Sequence, residues 1–414
     1  KGTISPVFFR EWGLIRGLDG AHYYFWLRSA VFDGDFDFQN DIEDFSYLPQ
    51  KDKELLLGAP KTERGLLPNK YSLGWALTSL PAMAIGHLSA KICNGIFGFN
   101  FPLDGYSLPY QACLALFHLG LVFLSFKYLF EIFKMRFRLH TIDNTTRLIA
   151  LLVWACTPLI FYQLADITMS HGVTYFYLIL AYYFATYLER QGKISTLLLC
   201  AVSCGMLIMC RSQMIVYLAY PIFIMSKYCY QEKRYTPYFL VLMGLLPIAI
   251  QFLAIQAVYG KPLLYTYTGE YFSFLTPKLI ATTFSSMHGA FYWHPILLVG
   301  LGLSILIGRR DLLFASLLIG SLFNIYINSS WHCWWFGASF GQRAMEGLAM
   351  SSILVITYTL LSHRRLLPLG IGILSCSASW NILLCLAAIK GTLPLDQPVD
   401  FLGMHRAILK LFMQ

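Results

Sequence analysis

The stretch Pro237-Tyr-Phe-Leu-Val-Leu-Met-Gly-Leu-Leu-Pro-Ile-Ala-Ile-Gln-Phe-Leu-Ala-Ile-Gln-Ala-Val258 contains no charged side chain. About 20 apolar residues are enough for a helix to cross a bilayer, and inside lipid only helices and closed barrels satisfy their backbone polar groups. Similar runs recur along the chain. They predict an all-α, polytopic transmembrane helix bundle with spans near residues 107–127, 147–164, 171–188, 194–210, 212–226, 237–258, 291–308, 312–328, 344–361 and 366–388.

Composition supports the same fold class. Of the 414 residues, 57% are hydrophobic and 13% are charged, whereas soluble domains are about 25% charged. Most of the ten cysteines lie inside the predicted spans and no CxxC pair occurs, which disfavours a zinc or redox motif. The net charge of +9 is explained by cationic loops between spans without invoking a nucleic-acid partner.

The loop charges predict an orientation. Basic residues cluster in alternate connections, which should be cytoplasmic. These residues are Lys127, Lys134, Arg136, Arg138, Arg147, Arg190, Lys193, Lys227, Lys233, Arg234, Arg309, Arg310, Arg364 and Arg365. The acidic N-terminal region, Asp166 and the connections 259–290 and 329–343 should then be external. This arrangement requires a further span before Lys1.

Three regions are therefore expected. Residues 1–106 form an external first loop with juxtamembrane helices, including an interfacial helix near 71–92. Residues 107–388 form the helical bundle. Residues 389–414 form a tail with a short amphipathic segment. The 259–290 connection exceeds the usual loop length, and a lid or a binding loop would explain that.

Two acids are candidates for chemistry. Asp19 precedes a segment, Tyr23–Phe32, that can form a short helix, so it is either a helix cap or a reactive carboxylate. Asp166 lies between two spans, where an ionisable group is either functional or a solvated loop residue. His171 begins the next span and is either simply hydrogen-bonded or part of the same site.

Cations accompany these acids. Arg211 interrupts an apolar region and needs either a structural carboxylate or an anionic ligand, for which phosphate is well suited. Arg343 ends the aromatic, glycine-containing segment Trp331–Arg343, whose tryptophans suit either a sugar ring or the membrane interface. Lys70 is either an anchor at the interface or a further binding cation.

The segment Asp33-Gly-Asp-Phe-Asp-Phe-Gln-Asn-Asp41 resembles the start of a calcium-binding loop. An EF-hand requires Gly at its sixth position and Glu at its twelfth, whereas this chain has Phe38 and Asp44 there. A capped turn with solvated carboxylates is therefore favoured. A divalent cation held by Asp33, Asp35 and Asp37 stays open.

Several segments together resemble a known group. They are Asp19-Gly-Ala-His-Tyr-Tyr24, Leu27–Asn40, Asn69-Lys-Tyr-Ser-Leu-Gly-Trp75, Ser170-His-Gly172, Ser286–Pro295 and Trp335–Arg343. In this order they are similar to segments of bacterial GT-C glycosyltransferases, the relatives of the protein O-mannosyltransferases and the lipid A aminoarabinose transferase. The resemblance covers nearly the whole chain.

This resemblance implies a GT-C-type bundle in the bacterial inner membrane. It implies transfer of a sugar, with inversion, from a polyprenyl-phosphate donor to a lipid, glycan or protein acceptor on the periplasmic face. Asp19 would be the general base. Gly20 replaces the second acid common in that group, so Asp166 would supply it, and Ser72 replaces an expected proline. The substrate-binding residues would be Lys70, Tyr71, His171, Arg211, His288, Trp335 and Arg343.

No cofactor is required by this mechanism, and no nucleotide-binding fingerprint is present. Two other functions stay open. A transporter or flippase for a lipid-linked or anionic solute would line a pathway with the same ionisable groups. A non-catalytic GT-C-like subunit of a membrane complex would keep the fold without the activity.

Overall fold

The computed structural model describes Ile15 and residues 17–45, 48–138, 140–262, 265–309 and 311–413. The first 14 residues of the predicted external loop and Arg310 of the predicted basic set lie outside this part of the chain. Regular structure in the described residues is helical, with one isolated antiparallel bridge between Phe272 and Trp331.

The N-terminal region contains α1 (Gly17–Arg28), α2 (Phe38–Asp44), α3 (Gln50–Leu57) and α4 (Gly74–Phe97). The remaining helices are α5 (Leu108–Phe137), α6 (Asn144–Ala155), α7 (Leu159–Leu164), α8 (Ser170–Gln191), α9 (Ile194–Cys210), α10 (Ala219–Glu232), α11 (Tyr235–Leu242), α12 (Leu246–Tyr259), α13 (Leu279–Phe284), α14 (Ala290–Trp293), α15 (Ile296–Gly308), α16 (Leu312–Ser330), α17 (Glu346–Ser362), α18 (Leu367–Ile389) and α19 (Phe401–Leu411).

Four helices among the described residues are long and apolar enough to cross a membrane, namely α5, Tyr235–Tyr259, α16 and Arg364–Ile389. Three shorter apolar helices, α9, α15 and α17, accompany them. Each predicted span coincides with helical structure. The all-α membrane fold is therefore confirmed, and the chain is an integral membrane protein.

Some predicted spans are interrupted. The predicted span 147–164 is two helices, because Pro158 has no N–H with which to continue the helical ladder after α6. The predicted span 291–308 is divided between α14 and α15 at Pro295 for the same reason. The helix predicted near 71–92 is α4, which runs to Phe97 and tolerates Pro81.

The N-terminal region is a packed unit. Tyr24, Phe25 and Trp26 in α1 have no exposed surface and share a hydrophobic core with Trp75 of α4 and Val173 of α8. Burying a large apolar side chain contributes roughly 1.5–3 kcal/mol, so these contacts fix α1 firmly against the bundle. Asp19, in the first turn of α1, is thereby placed at the junction of the three helices.

Candidate active site

Asp19 is held by two side chains that come from distant parts of the chain. The Tyr71 hydroxyl donates a hydrogen bond of 2.5 Å to Asp19 Oδ1. Arg343 Nη2 donates one of 2.6 Å to Asp19 Oδ2. The Asp19 side chain is 26% exposed and that of Arg343 is 13% exposed. The carboxylate therefore has both oxygens engaged and keeps part of its surface exposed.

These contacts control the charge of Asp19. Burial acts to raise the pKa of the carboxyl, but the Arg343 guanidinium and the Tyr71 hydroxyl outweigh it and hold the pKa below its usual value of 3.8. Burial and the nearby Asp19 charge raise the pKa of Tyr71 well above 10.0. At neutral pH the pair is thus an ionised carboxylate with a protonated phenol as donor.

Gly20 allows α1 to lie directly on the turn that follows α7. A Cβ atom at Gly20 would be 2.4 Å from Thr168 Oγ1, which is closer than any real contact. Trp75 Nε1 donates a 2.9 Å hydrogen bond to the Ile167 carbonyl in the same turn. A glutamate in place of Gly20 would therefore force either Thr168 or α1 to move.

Asp166 begins this turn. Its backbone N–H donates to the Phe161 carbonyl at 2.9 Å, and its carbonyl accepts from Met169 N at 3.2 Å. The structure brings the Asp166 turn against α1 beside Asp19, at Gly20. A catalytic role for Asp166 stays a prediction.

A second polar cluster joins three helix ends. His171 Nδ1 lies 2.7 Å from Glu346 Oε1, and Arg211 Nη1 lies 3.2 Å from His171 Nε2. Because the arginine must donate, His171 Nε2 accepts and Nδ1 carries the proton toward Glu346. Arg211 Nε is 4.0 Å from the same Glu346 oxygen. Arg211 therefore has a structural carboxylate, one of the two alternatives that the sequence left open.

Sequence reasoning missed Glu346. It is fully buried at the first position of α17, three residues after Arg343. An acid at the start of an apolar span is itself a signal of function. Glu346 Oε2 and Arg211 Nε are buried and, within the described chain, have no hydrogen-bond partner.

Tyr23 lies next to residues of both clusters. Its hydroxyl accepts a 3.0 Å hydrogen bond from Ser170, the neighbour of His171, and its ring lies 5.0 Å from that of Tyr71. Burial raises the pKa of Tyr23, while Arg211 and Arg343 both act on it to lower that pKa. The two arginines therefore belong to one electrostatic environment.

Residues 265–278, here called the cover segment, lie over Lys70. The Thr266 hydroxyl donates a 2.6 Å hydrogen bond to the Lys70 carbonyl, and Lys70 Nζ is ion-paired with Glu270. The Lys70 ammonium also lies 5.0 Å from the centre of the Tyr267 ring. Ser273 N donates a 2.6 Å hydrogen bond to the Ser330 carbonyl at the end of α16. The long predicted connection is thus partly folded onto Lys70 and the end of α16, and Lys70 has an internal partner.

His288 and Trp335 stand apart from the Asp19 contacts. His288, with φ +62°, makes a 2.9 Å contact from Nδ1 to the Trp335 carbonyl. The Gln342 side-chain amide donates a 3.0 Å hydrogen bond to the Trp334 carbonyl. These contacts shape the aromatic segment that ends at Arg343, and binding of substrate by His288 and Trp335 stays a prediction.

The acidic segment after α1 is occupied by a guanidinium. Arg28 is ion-paired with Asp33 and, at 3.1 Å, with the buried Asp41. Asp37 caps α2 by accepting from Gln39 N at 3.2 Å. In the described ranges no group of three or more His, Cys, Asp or Glu side chains is arranged to hold a metal ion. The capped turn is therefore present, and Arg28 supplies the positive charge beside it.

The chain was compared with protein families, curated proteins and solved structures, and a similar protein was found among the solved structures. No protein-family model matches the chain, and no curated protein does. Among solved structures, the chain is similar to the archaeal oligosaccharyltransferase AglB from Archaeoglobus fulgidus, solved in complex with an inhibitory peptide and a dolichol-phosphate. The match has 11% sequence identity and a TM-score of 0.41, and it covers 96% of this chain and 50% of that one. The chain thus spans about half the length of AglB.

Proposed function

We propose that this protein is a GT-C-type membrane glycosyltransferase of the bacterial inner membrane. It transfers a sugar, with inversion, from a polyprenyl phosphate to an acceptor on the periplasmic face. The observation that carries the proposal is the partly exposed Asp19 carboxylate, held between Tyr71 and Arg343. The ordered sequence segments described above supply the reaction class.

The proposed reaction is a direct displacement at the anomeric carbon of the donor sugar. The acceptor hydroxyl oxygen attacks the anomeric carbon, and the bond from that carbon to the phosphate oxygen breaks. The bonding electrons leave with the polyprenyl phosphate, and the acceptor proton passes to Asp19. A general base typically contributes a factor of ~10²–10⁴. Because its pKa is low, Asp19 orients the hydroxyl first and accepts the proton as the attack completes.

The leaving group is already an anion, so it needs cations rather than a proton. Arg343 and Arg211 belong to one electrostatic environment around Tyr23, and Lys70 lies next to Tyr71. Preorganised donors of this kind are worth a factor of ~10²–10³ each. With three cations available, the proposed reaction requires no metal, and activity is expected to survive a chelator.

One observation favours the non-catalytic alternative. Each candidate cation has an internal partner: Arg343 has Asp19, Lys70 has Glu270, and Arg211 has His171 with Glu346. A protein that has lost its activity could keep such pairs. In an active enzyme the donor phosphate must instead compete with Glu270 and share the arginines.

The test uses purified protein in proteoliposomes with a polyprenyl-phosphate sugar, a mixture of lipid and peptide acceptors, and a chelator. The proposal expects glycosylated acceptor whose anomeric configuration is opposite to that of the donor. Movement of the intact donor between leaflets without product would indicate the flippase. Binding of donor with neither product nor movement would indicate the non-catalytic subunit.

A further inference from the structure

The C-terminal helix α19 has three distinct faces. Met404, Ala407 and Ile408 are buried against the protein. Phe401, Leu402 and Leu409 are exposed, at 67%, 61% and 47%. Arg406 and Lys410, four residues apart and therefore neighbours on the helix, are exposed between these faces. An apolar strip bordered by basic residues is the pattern of a helix that lies in a membrane interface.

A cavity of about 500 Å³ lies beside the basic residues. Its walls include Ser286, Thr392, Gln397, Arg406 and Lys410. The Thr392 hydroxyl already donates to the Ala407 carbonyl at 3.0 Å, while Ser286, Gln397, Arg406 and Lys410 offer hydroxyl, amide and cationic donors in one place. A group with several acceptor oxygens and a negative charge would satisfy them together.

The cavity has a positive balance of charge. Asp400 also lines it and contributes one negative charge, but its carboxylate caps α19 by accepting a 2.6 Å hydrogen bond from Gly403 N. In the part of the chain that the structure describes, neither Arg406 nor Lys410 takes part in an ion pair. Two unpaired cations therefore face a polar cavity.

The cavity is on the same side of the molecule as the candidate active site. Val399 N donates a hydrogen bond of 3.3 Å to the Ser286 carbonyl, and Ser339 N donates one of 2.9 Å to the Leu395 carbonyl. The segment before α19 thus contacts both loops around Arg343. Trp380 of α18 stacks on Phe401 at 5.2 Å, which joins the exposed strip of α19 to an apolar helix of the bundle.

We propose that this cavity binds the phosphate of an anionic bilayer phospholipid. Arg406 and Lys410 contact the phosphate, and the acyl chains lie along Phe401, Leu402 and Leu409. The occupant is a phospholipid rather than free phosphate, because the cations border an exposed apolar strip that only a ligand with acyl chains would cover.

The test measures lipid retained on the purified full chain by native mass spectrometry, with phosphatidylglycerol and phosphatidylcholine supplied at equal amounts. The wild type is expected to retain phosphatidylglycerol preferentially. The double variant Arg406→Gln/Lys410→Gln is expected to bind it roughly tenfold more weakly or worse. The control Lys51→Gln/Lys91→Gln removes two exposed cations elsewhere and should bind like the wild type.

Three results would overturn the proposal. The first is equal phosphatidylglycerol binding by the double variant and the wild type. The second is displacement of the lipid by millimolar inorganic phosphate, which would make the cavity a free-phosphate site. The third is displacement by a short-chain polyprenyl phosphate, which would make it part of a donor path.

Discussion

Arg343 donates a 2.6 Å hydrogen bond to the carboxylate of Asp19, although 324 positions of the chain separate them. Arg343 lies three residues before the start of α17, and Asp19 lies in the first turn of α1. The burial of these two helices fixes the relative positions of the two side chains. The pairing keeps Asp19 ionised and holds the guanidinium beside it. Each of the following variants perturbs this arrangement or its surroundings in a different way.

Tyr71→Phe removes the hydroxyl that donates to Asp19 and keeps the ring that packs on Tyr23. The depressed pKa of Asp19 means that the ionised form persists above about pH 4, so the wild type should show no acid limb from Asp19 above that pH. Loss of the Tyr71 hydrogen bond should move this limb to higher pH and lower kcat about tenfold or more. The pH profile of kcat/KM measures the limb and kcat at saturating donor measures the rate, and an unshifted limb would show that the hydroxyl does not control Asp19.

Gly20→Ala should destabilise the protein, although alanine normally stabilises a helix relative to glycine by about 1 kcal/mol. The added Cβ would lie 2.4 Å from Thr168 Oγ1, and overpacking of this kind costs about 1–3 kcal/mol. The control is Gly120→Ala in α5, where no heavy atom lies within 4 Å of the added Cβ. Thermal unfolding in detergent should show opposite signs for the two variants, and a stabilised Gly20→Ala protein would contradict the close approach.

Glu270→Gln and Lys70→Ala should change donor binding in opposite directions. Glu270 is the ion-pair partner of Lys70 in the free protein, so its neutralisation should release the ammonium for the donor phosphate and lower the donor KM. Lys70→Ala should raise it. If both variants raise KM by similar factors, the ion pair shapes the cover segment and Lys70 does not bind phosphate.

Glu346→Ala should lower the unfolding free energy by about 3 kcal/mol, because it leaves the Arg211 cation without its nearby carboxylate and the buried His171 N–H without its acceptor. Glu346→Gln keeps an acceptor oxygen and should cost less. The control is Glu131→Ala, which breaks a half-exposed pair with Lys134 and should have little effect. Equal unfolding temperatures for all three variants would show that Glu346 holds neither partner.

The fold was predictable in outline because lipid leaves the backbone few alternatives. The uncharged run 237–258 could hardly be anything but helical. The interruptions at Pro158 and Pro295 could also have been predicted from the missing N–H groups, yet span prediction by hydropathy passes over them. The density of contacts around α1 was not predictable, because a polar region of 106 residues gives no indication of how its aromatic side chains pack.

The candidate site was predictable only as a set of residue types. Asp19, Tyr71 and Arg343 were each singled out from the sequence, but their contact depends on three helices meeting and leaves no trace in local spacing. Glu346 did leave one, as an acid at the start of an apolar span, and Glu270 lies in the connection whose length already suggested a lid. Neither signal indicates which cation the acid contacts, so the pairing of Lys70 with Glu270 and of Arg211 with Glu346 needed the structure.

The central claim is that Asp19 acts on the acceptor hydroxyl. Single-turnover release of polyprenyl phosphate, measured with detergent-solubilised protein in excess over the donor and with saturating acceptor, tests it most directly. Asp19→Asn keeps the shape and should slow release by a factor of ~10²–10⁴, while the unfolding temperature and donor binding are retained. Asp52→Asn, a partly exposed position in the first turn of α3, should release at the wild-type rate. Release by Asp19→Asn at the wild-type rate would contradict the account.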